Sequence, residues 1–153
     1  LEIIIKPVAY VRNSRKNIED DNWGSIISEI ELIDELDESS FQGVGDFSHL
    51  EIIFYFDHVT DDKIQYGARH PRNNKKLPKI GIFAQRGKNR PNKLGLTTAE
   101  LIQHDGRKII VKGLDAIDGT PIVDIKPVMK EFLPRKEIKQ AKWSSELMKD
   151  YWR

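Results

Sequence analysis

The residues best suited to chemistry lie in one short string, PKIGIFAQRGKNRPNKLG, residues 78–95. Arg86, Lys88, Arg90 and Lys93 are spaced through it, with Asn92 among them. Gly87 and Pro91 place sharp, fixed turns between these cations. A guanidinium is a planar fork of N–H donors that matches a carboxylate or phosphate edge, and bare backbone N–H groups in turns add further anion-binding capacity. A basic surface loop is the plainer reading, but mobile loops seldom alternate rigid punctuation with planar donors. The string therefore predicts a site for an anionic ligand.

A second group of candidates is acidic. Asp115, Asp118 and Asp124 cluster near Lys126. Paired carboxylates can do acid–base work, although Asp118 in Asp-Gly-Thr-Pro is simply explained as a turn former. Asp124 and Lys126 are two apart on an expected strand and share a face, either as an ion pair or as a carboxylate open to a cationic ligand. Asp57 and His58 end an apolar run, where site residues often lie, and a core-edge histidine is the alternative. GVGDFS, from Gly43, lacks the third glycine of a dinucleotide fingerprint and precedes a strand-like run, so a turn is expected. The four histidines show no ligand spacing and there is no cysteine, so neither a metal site nor a disulfide is expected.

Charge is sorted along the chain. Residues 17–62 hold fourteen Asp or Glu and no Lys or Arg; residues 63–99 hold ten Lys or Arg and no Asp or Glu, while the whole chain carries only +1. At 153 residues one domain is the default, here 1–153 with 128–153 as a tail. No run approaches the roughly 20 apolar residues of a membrane span, and no leader pattern opens the chain, so a cytoplasmic location is expected.

The elements that must position these groups are mostly strands. EIIIKPVAYV, SIISEIELI, the run Leu50–Phe56, PKIGIFA, LGLTTAELIQH, RKIIVKGL and TPIVDIK are rich in β-branched and aromatic residues. Asp105-Gly106 between two of them signals a hairpin. Trp23, in a polar loop, is either a lid on the core edge or a cleft wall. Residues 61–77 form a long polar loop. Trp143, Leu147 and Tyr151 recur every fourth residue, which predicts a short terminal helix capped by Ser144 or Ser145. Strands do not alternate with helices, so a mainly β, small, largely antiparallel barrel with a short C-terminal helix is expected.

GIFAQRGKNRPNKLGL and GLDAIDGTPIVDIKP resemble the two signature stretches of the TrmO-like methyltransferases; FQGVGDFSHLEIIFYF and, more loosely, KPVAYVRNSR resemble its flanking strands. The resemblance implies a β-barrel that binds S-adenosyl-L-methionine without a Rossmann domain. It also implies a homodimer with the cofactor near the subunit interface, and methylation of N6 of threonylcarbamoyl-adenosine next to the tRNA anticodon. Position by position it implies cofactor contacts at Arg86, Leu96, Asp118, Gly119, Thr120, Asp57 and His58. Four features depart from the pattern. Asp57-His58 replaces a His-Gln pair, Lys93 a proline, and Val128 an aromatic residue; a short tail with Trp143 and Trp152 stands in place of the extra C-terminal domain of bacterial members.

In that frame the enzyme mainly aligns an acceptor behind the reactive methyl. Arg86 and nearby backbone N–H groups are expected at the cofactor carboxylate, and Asp118 or Asp57 at its ammonium or ribose. Asp124 is the candidate carboxylate facing a nitrogen that becomes cationic. Lys88, Arg90, Asn92 and Lys93 are expected to meet the substrate. The alternatives are a small-molecule or protein acceptor, or a non-catalytic RNA-binding module acting through the basic block.

Overall fold

The computed structural model describes all 153 residues. Six strands close an antiparallel barrel: β1 (Ala9–Arg12), β2 (Ile27–Leu32), β3 (His49–Tyr55), β6 (Leu94–Asp105), β7 (Lys108–Lys112) and β8 (Pro121–Pro127), in the spatial order β1-β2-β7-β6-β3-β8. A separate two-stranded ribbon pairs β4 (Ala68–Arg69) with β5 (Ile80–Gly81). One helix, α1 (Lys142–Leu147), lies in the tail.

Alternation along each strand builds the interior. Ala9 and Val11 of β1, Ile30 of β2, Leu50, Ile52 and Phe54 of β3, Ile109 and Val111 of β7 and Ile122 of β8 all point inward and are buried. Each large aliphatic or aromatic side chain removed from water in this way contributes roughly 1.5–3 kcal/mol of hydrophobic stabilisation. Intervening residues such as Glu29, Glu31 and Arg12 face outward, where Glu29 meets Lys108 at 2.8 Å. The β6–β7 hairpin turns through Gly106, whose φ of 59° suits a residue without a side chain.

Four local expectations are corrected. The opening isoleucines are not in a strand: pairing starts at Ala9, and Ile3, Ile4 and Ile5 are exposed because no backbone of the chain lies beside them. PKIGIFA forms only the two-residue β5 before a 3-10 turn at Ile82–Ala84. The N-cap residue is Ala141 and the helix start has no side-chain cap, so neither Ser144 nor Ser145 caps it; the Ser144 hydroxyl donates back to the Ala141 carbonyl at 2.6 Å. The helix also ends before Tyr151, so Tyr151 does not share its face with Trp143.

Candidate cofactor and substrate site

Strand register brings most of the candidates to one end of the barrel. Ile53 lies opposite Leu96, Tyr55 opposite Leu94, and Phe54 opposite Ile122. The end of β3, the start of β6 and the start of β8 are therefore neighbours. Asp57 and His58 follow β3 directly, and the Phe56 N–H donates to the Lys93 carbonyl at 2.8 Å. Residues 85–93 feed into the start of β6, and residues 118–120 into the start of β8.

Arg86 is exposed and donates from Nη2 to the carbonyl of Leu96. That contact uses one guanidinium nitrogen and leaves the rest of the fork facing solvent. The Leu96 side chain is itself exposed on the outer face of β6. Asp57 and His58 are exposed. An exposed guanidinium engaged at one nitrogen only, an open carboxylate and an apolar side chain at one barrel end match a zwitterionic ligand that also carries an apolar ring.

The Asp118–Thr120 turn is arranged differently. Gly119 has φ 83°, and its N–H donates to the Val11 carbonyl at 2.7 Å. The Asp118 carboxylate meets Lys16 Nζ at 2.7 Å and accepts from the Asn13 N–H at 3.0 Å. Lys16 first, and the Asn13 N–H second, hold this carboxyl below its ordinary range. Thr120 is buried and its hydroxyl donates to the Ile117 carbonyl at 2.7 Å. Asp118 and Thr120 thus hold the turn together, leaving its exposed surface to Gly119.

The expected substrate cations divide in the same way. Arg90 turns inward and donates to the Gln85 carbonyl at 2.7 Å, bracing its own loop. Lys93 lies over the Tyr55 ring at 4.9 Å, donates to the Val59 carbonyl at 2.8 Å and sits 3.6 Å from Asp61. Asn92 and Lys93 have φ of 64° and 50°, the left-handed region. A proline, fixed near −65°, cannot adopt that geometry, so Lys93 in place of the resembled proline goes with a different turn. Asn92 is exposed and Lys88 half-buried. Asp124 lies 3.2 Å from Lys126, the ion pair that their spacing allowed.

The three carboxylates at 115, 118 and 124 form no mutual pair, since each has its own partners. Asp115 accepts from the hydroxyls of Thr97 and Tyr151. Nothing in the local sequence around Asp115 points to these two partners, which come from β6 and the tail. Trp23 is held in a clamp that its polar sequence neighbourhood does not signal. That ring is buried beneath the Arg15 guanidinium at 4.2 Å, which settles Trp23 as packed rather than a cleft wall. Arg72, from the basic block, pairs with Asp21 at 3.0 Å, so part of the sorted charge is neutralised within the chain.

Comparison with known proteins decides the family. The model of the tRNA-methyltransferase O N-terminal domain matches residues 17–132. The chain belongs to the TrmO family. A probable S-adenosyl-L-methionine-binding protein of Methanothermobacter thermautotrophicus is 34% identical over 135 residues, covering 86% of this chain and 93% of that one. A second protein so described, from Archaeoglobus fulgidus, is 38% identical over 99 residues, 65% of this chain and 25% of its own length. The human tRNA (adenine(37)-N6)-methyltransferase is 39% identical over 95 residues, 62% of this chain and 21% of its own. The chain thus spans a quarter or less of the last two. The crystal structure of TrmO from Pseudomonas aeruginosa shares the fold, with a TM-score of 0.73 at 22% identity over 92% of this chain and 62% of that one.

Proposed function

We propose that this TrmO-family chain is a methyltransferase that takes S-adenosyl-L-methionine as methyl donor and methylates N6 of threonylcarbamoyl-adenosine beside the tRNA anticodon. The observation that carries the reading is the exposed Arg86 fork fastened to Leu96 at the shared end of β3, β6 and β8. When bound, the cofactor supplies an activated methyl on a cationic sulfur. Arg86 holds its carboxylate, Asp57 its ammonium or ribose, and Leu96 and His58 flank its ring. The Asp118-Gly119-Thr120 turn contributes backbone at Gly119 rather than the Asp118 side chain, because Lys16 and Asn13 already occupy that carboxylate.

Lys88 and Asn92 face the tRNA, and Arg90 and Lys93 shape the loop that presents them. Asp124 enters only as a charge balanced by Lys126. A second copy of the chain completes the assembly in the cytoplasm; exposed Ile3, Ile4, Ile5, Phe132 and Leu133 are apolar surface suited to cover. The inward commitment of Arg90 and Lys93 favours one second reading, an acceptor smaller than tRNA.

Incubation with labelled S-adenosyl-L-methionine and total tRNA from a strain lacking the protein separates the readings. Label on the modified adenosine is expected. Label on metabolites or protein alone replaces the acceptor, and RNA binding without cofactor binding replaces the enzyme by a binding module.

A further inference from the structure

Residues 133–153 lie beyond the span matched by the family model, and their end packs against residues 22–24. The N–H of Asn22 donates to the Asp150 carbonyl at 3.2 Å and that of Trp23 to the Tyr151 carbonyl at 2.8 Å. Gly24 makes the close approach possible: a Cβ there would lie 2.9 Å from the Trp152 carbonyl carbon and closer still to its oxygen. The Tyr151 and Trp152 rings meet edge-on with centroids 4.9 Å apart.

This docking delivers the Tyr151 hydroxyl to Asp115, where it donates to Oδ2 while Thr97 donates to Oδ1. Thr97 follows Leu96, the residue whose carbonyl holds Arg86. Asp115 lies in the loop from Gly113 that ends in the Asp118–Thr120 turn. One carboxylate therefore joins three separate parts: strand β6, whose Leu96 carbonyl holds Arg86, the loop that carries the turn, and the tail. Burial pushes the Tyr151 phenol far above its ordinary range, Asp115 pushes it the same way, and Arg86 and Arg72 oppose. The hydroxyl remains a donor throughout the neutral range.

We propose that the C-terminal tail is a working part of the cofactor site, with Tyr151 as a positioning residue that acts through Asp115 to set the spacing between the Arg86–Leu96 segment and the 115–120 loop. The inference rests on the cofactor reading above. A tail that only anchored the fold would change stability and leave ligand affinity untouched. A positioning residue changes affinity while the chain is fully folded.

The test titrates S-adenosyl-L-methionine into the full chain and into Tyr151→Phe by calorimetry, with melting curves recorded without ligand. Tyr151→Phe is expected to weaken binding up to about tenfold, the effect of roughly 1.4 kcal/mol of difference in ordering between free and bound states, measured well below the melting transition. Gly24→Ala should reproduce the loss by displacing the tail while leaving every side chain of the cluster intact, and it decides the matter if Tyr151→Phe does not fold. Folded variants that bind as tightly as the unaltered chain overturn the tail's role alone. Failure of the unaltered chain to bind overturns the cofactor reading and this inference with it.

Discussion

Arg86→Ala separates the cofactor site from the fold more sharply than any other substitution. Arg86 is exposed and makes one hydrogen bond within the chain, to the Leu96 carbonyl. That hydrogen bond is exposed, so water can replace the lost donor and the cost in stability is about 1 kcal/mol or less. For a domain of this size that is a fall of roughly 2–4 °C in melting temperature. The cost in binding is larger. A guanidinium donating to a carboxylate contributes about 1.5–3 kcal/mol, which at 1.4 kcal/mol per decade is roughly 10- to 150-fold in Kd. Arg86→Lys keeps the charge but loses the planar fork, so it should fall between the two. Calorimetric titration with S-adenosyl-L-methionine reads the affinity, and thermal unfolding confirms that the variants are folded. A folded Arg86→Ala protein whose Kd matches the unaltered chain would falsify the assignment of Arg86 to the cofactor.

Two further predictions concern the framework. Gly95, the glycine of the Arg-Pro-Asn-x-x-Gly string, faces the Phe54 and Phe56 rings; a Cβ there would lie 2.5 Å from Phe54 and 2.9 Å from Phe56. Gly95→Ala should therefore cost about 1–3 kcal/mol of overpacking and lower the melting temperature by roughly 2–10 °C, and an unchanged melting point would remove the packing reason for this glycine. Asp118, held below its ordinary range by Lys16 and Asn13, stabilises the folded state above the unfolded carboxyl pKa of about 3.9, and that contribution is lost as pH falls through the lower folded value. Asp118→Asn should thus melt a few degrees below the unaltered chain at pH 7, about 1 kcal/mol after allowing for solvent screening, with the gap narrowing as pH falls below the unfolded carboxyl value of about 3.9. A gap that does not change with pH contradicts the pairing.

The groups legible in the sequence were those whose position is set locally. Gly106 and Gly119 stand at turns that need a left-handed residue, and both turns are where the Asp-Gly pairs put them. The run from Leu50 reads as a strand from residue type, whereas the choice of Leu50, Ile52 and Phe54 as its inward face follows from its place in the barrel. The exposed isoleucine run shows the limit of propensity: three β-branched residues form no strand without a neighbouring backbone to pair with. The cations of residues 86–93 look alike in sequence, yet Arg90 and Lys93 turn inward to carbonyls while Arg86 keeps most of its fork in solvent. That division depends on carbonyls at Gln85, Val59 and Leu96, whose directions local spacing does not specify.

Residue type and short-range order by themselves determined the barrel class, the turns, the family motifs and the anion-seeking character of the basic string. Barrel closure decided which of these meet. Closing β3 against both β6 and β8 sets Leu96, Asp57 and residues 118–120 at one end, and the return of the tail puts Tyr151 on Asp115. Those contacts join residues far apart in the chain. They form only when burial of the shared core brings the separate strands together, and no local pattern encodes which hydroxyl a given carboxylate will find.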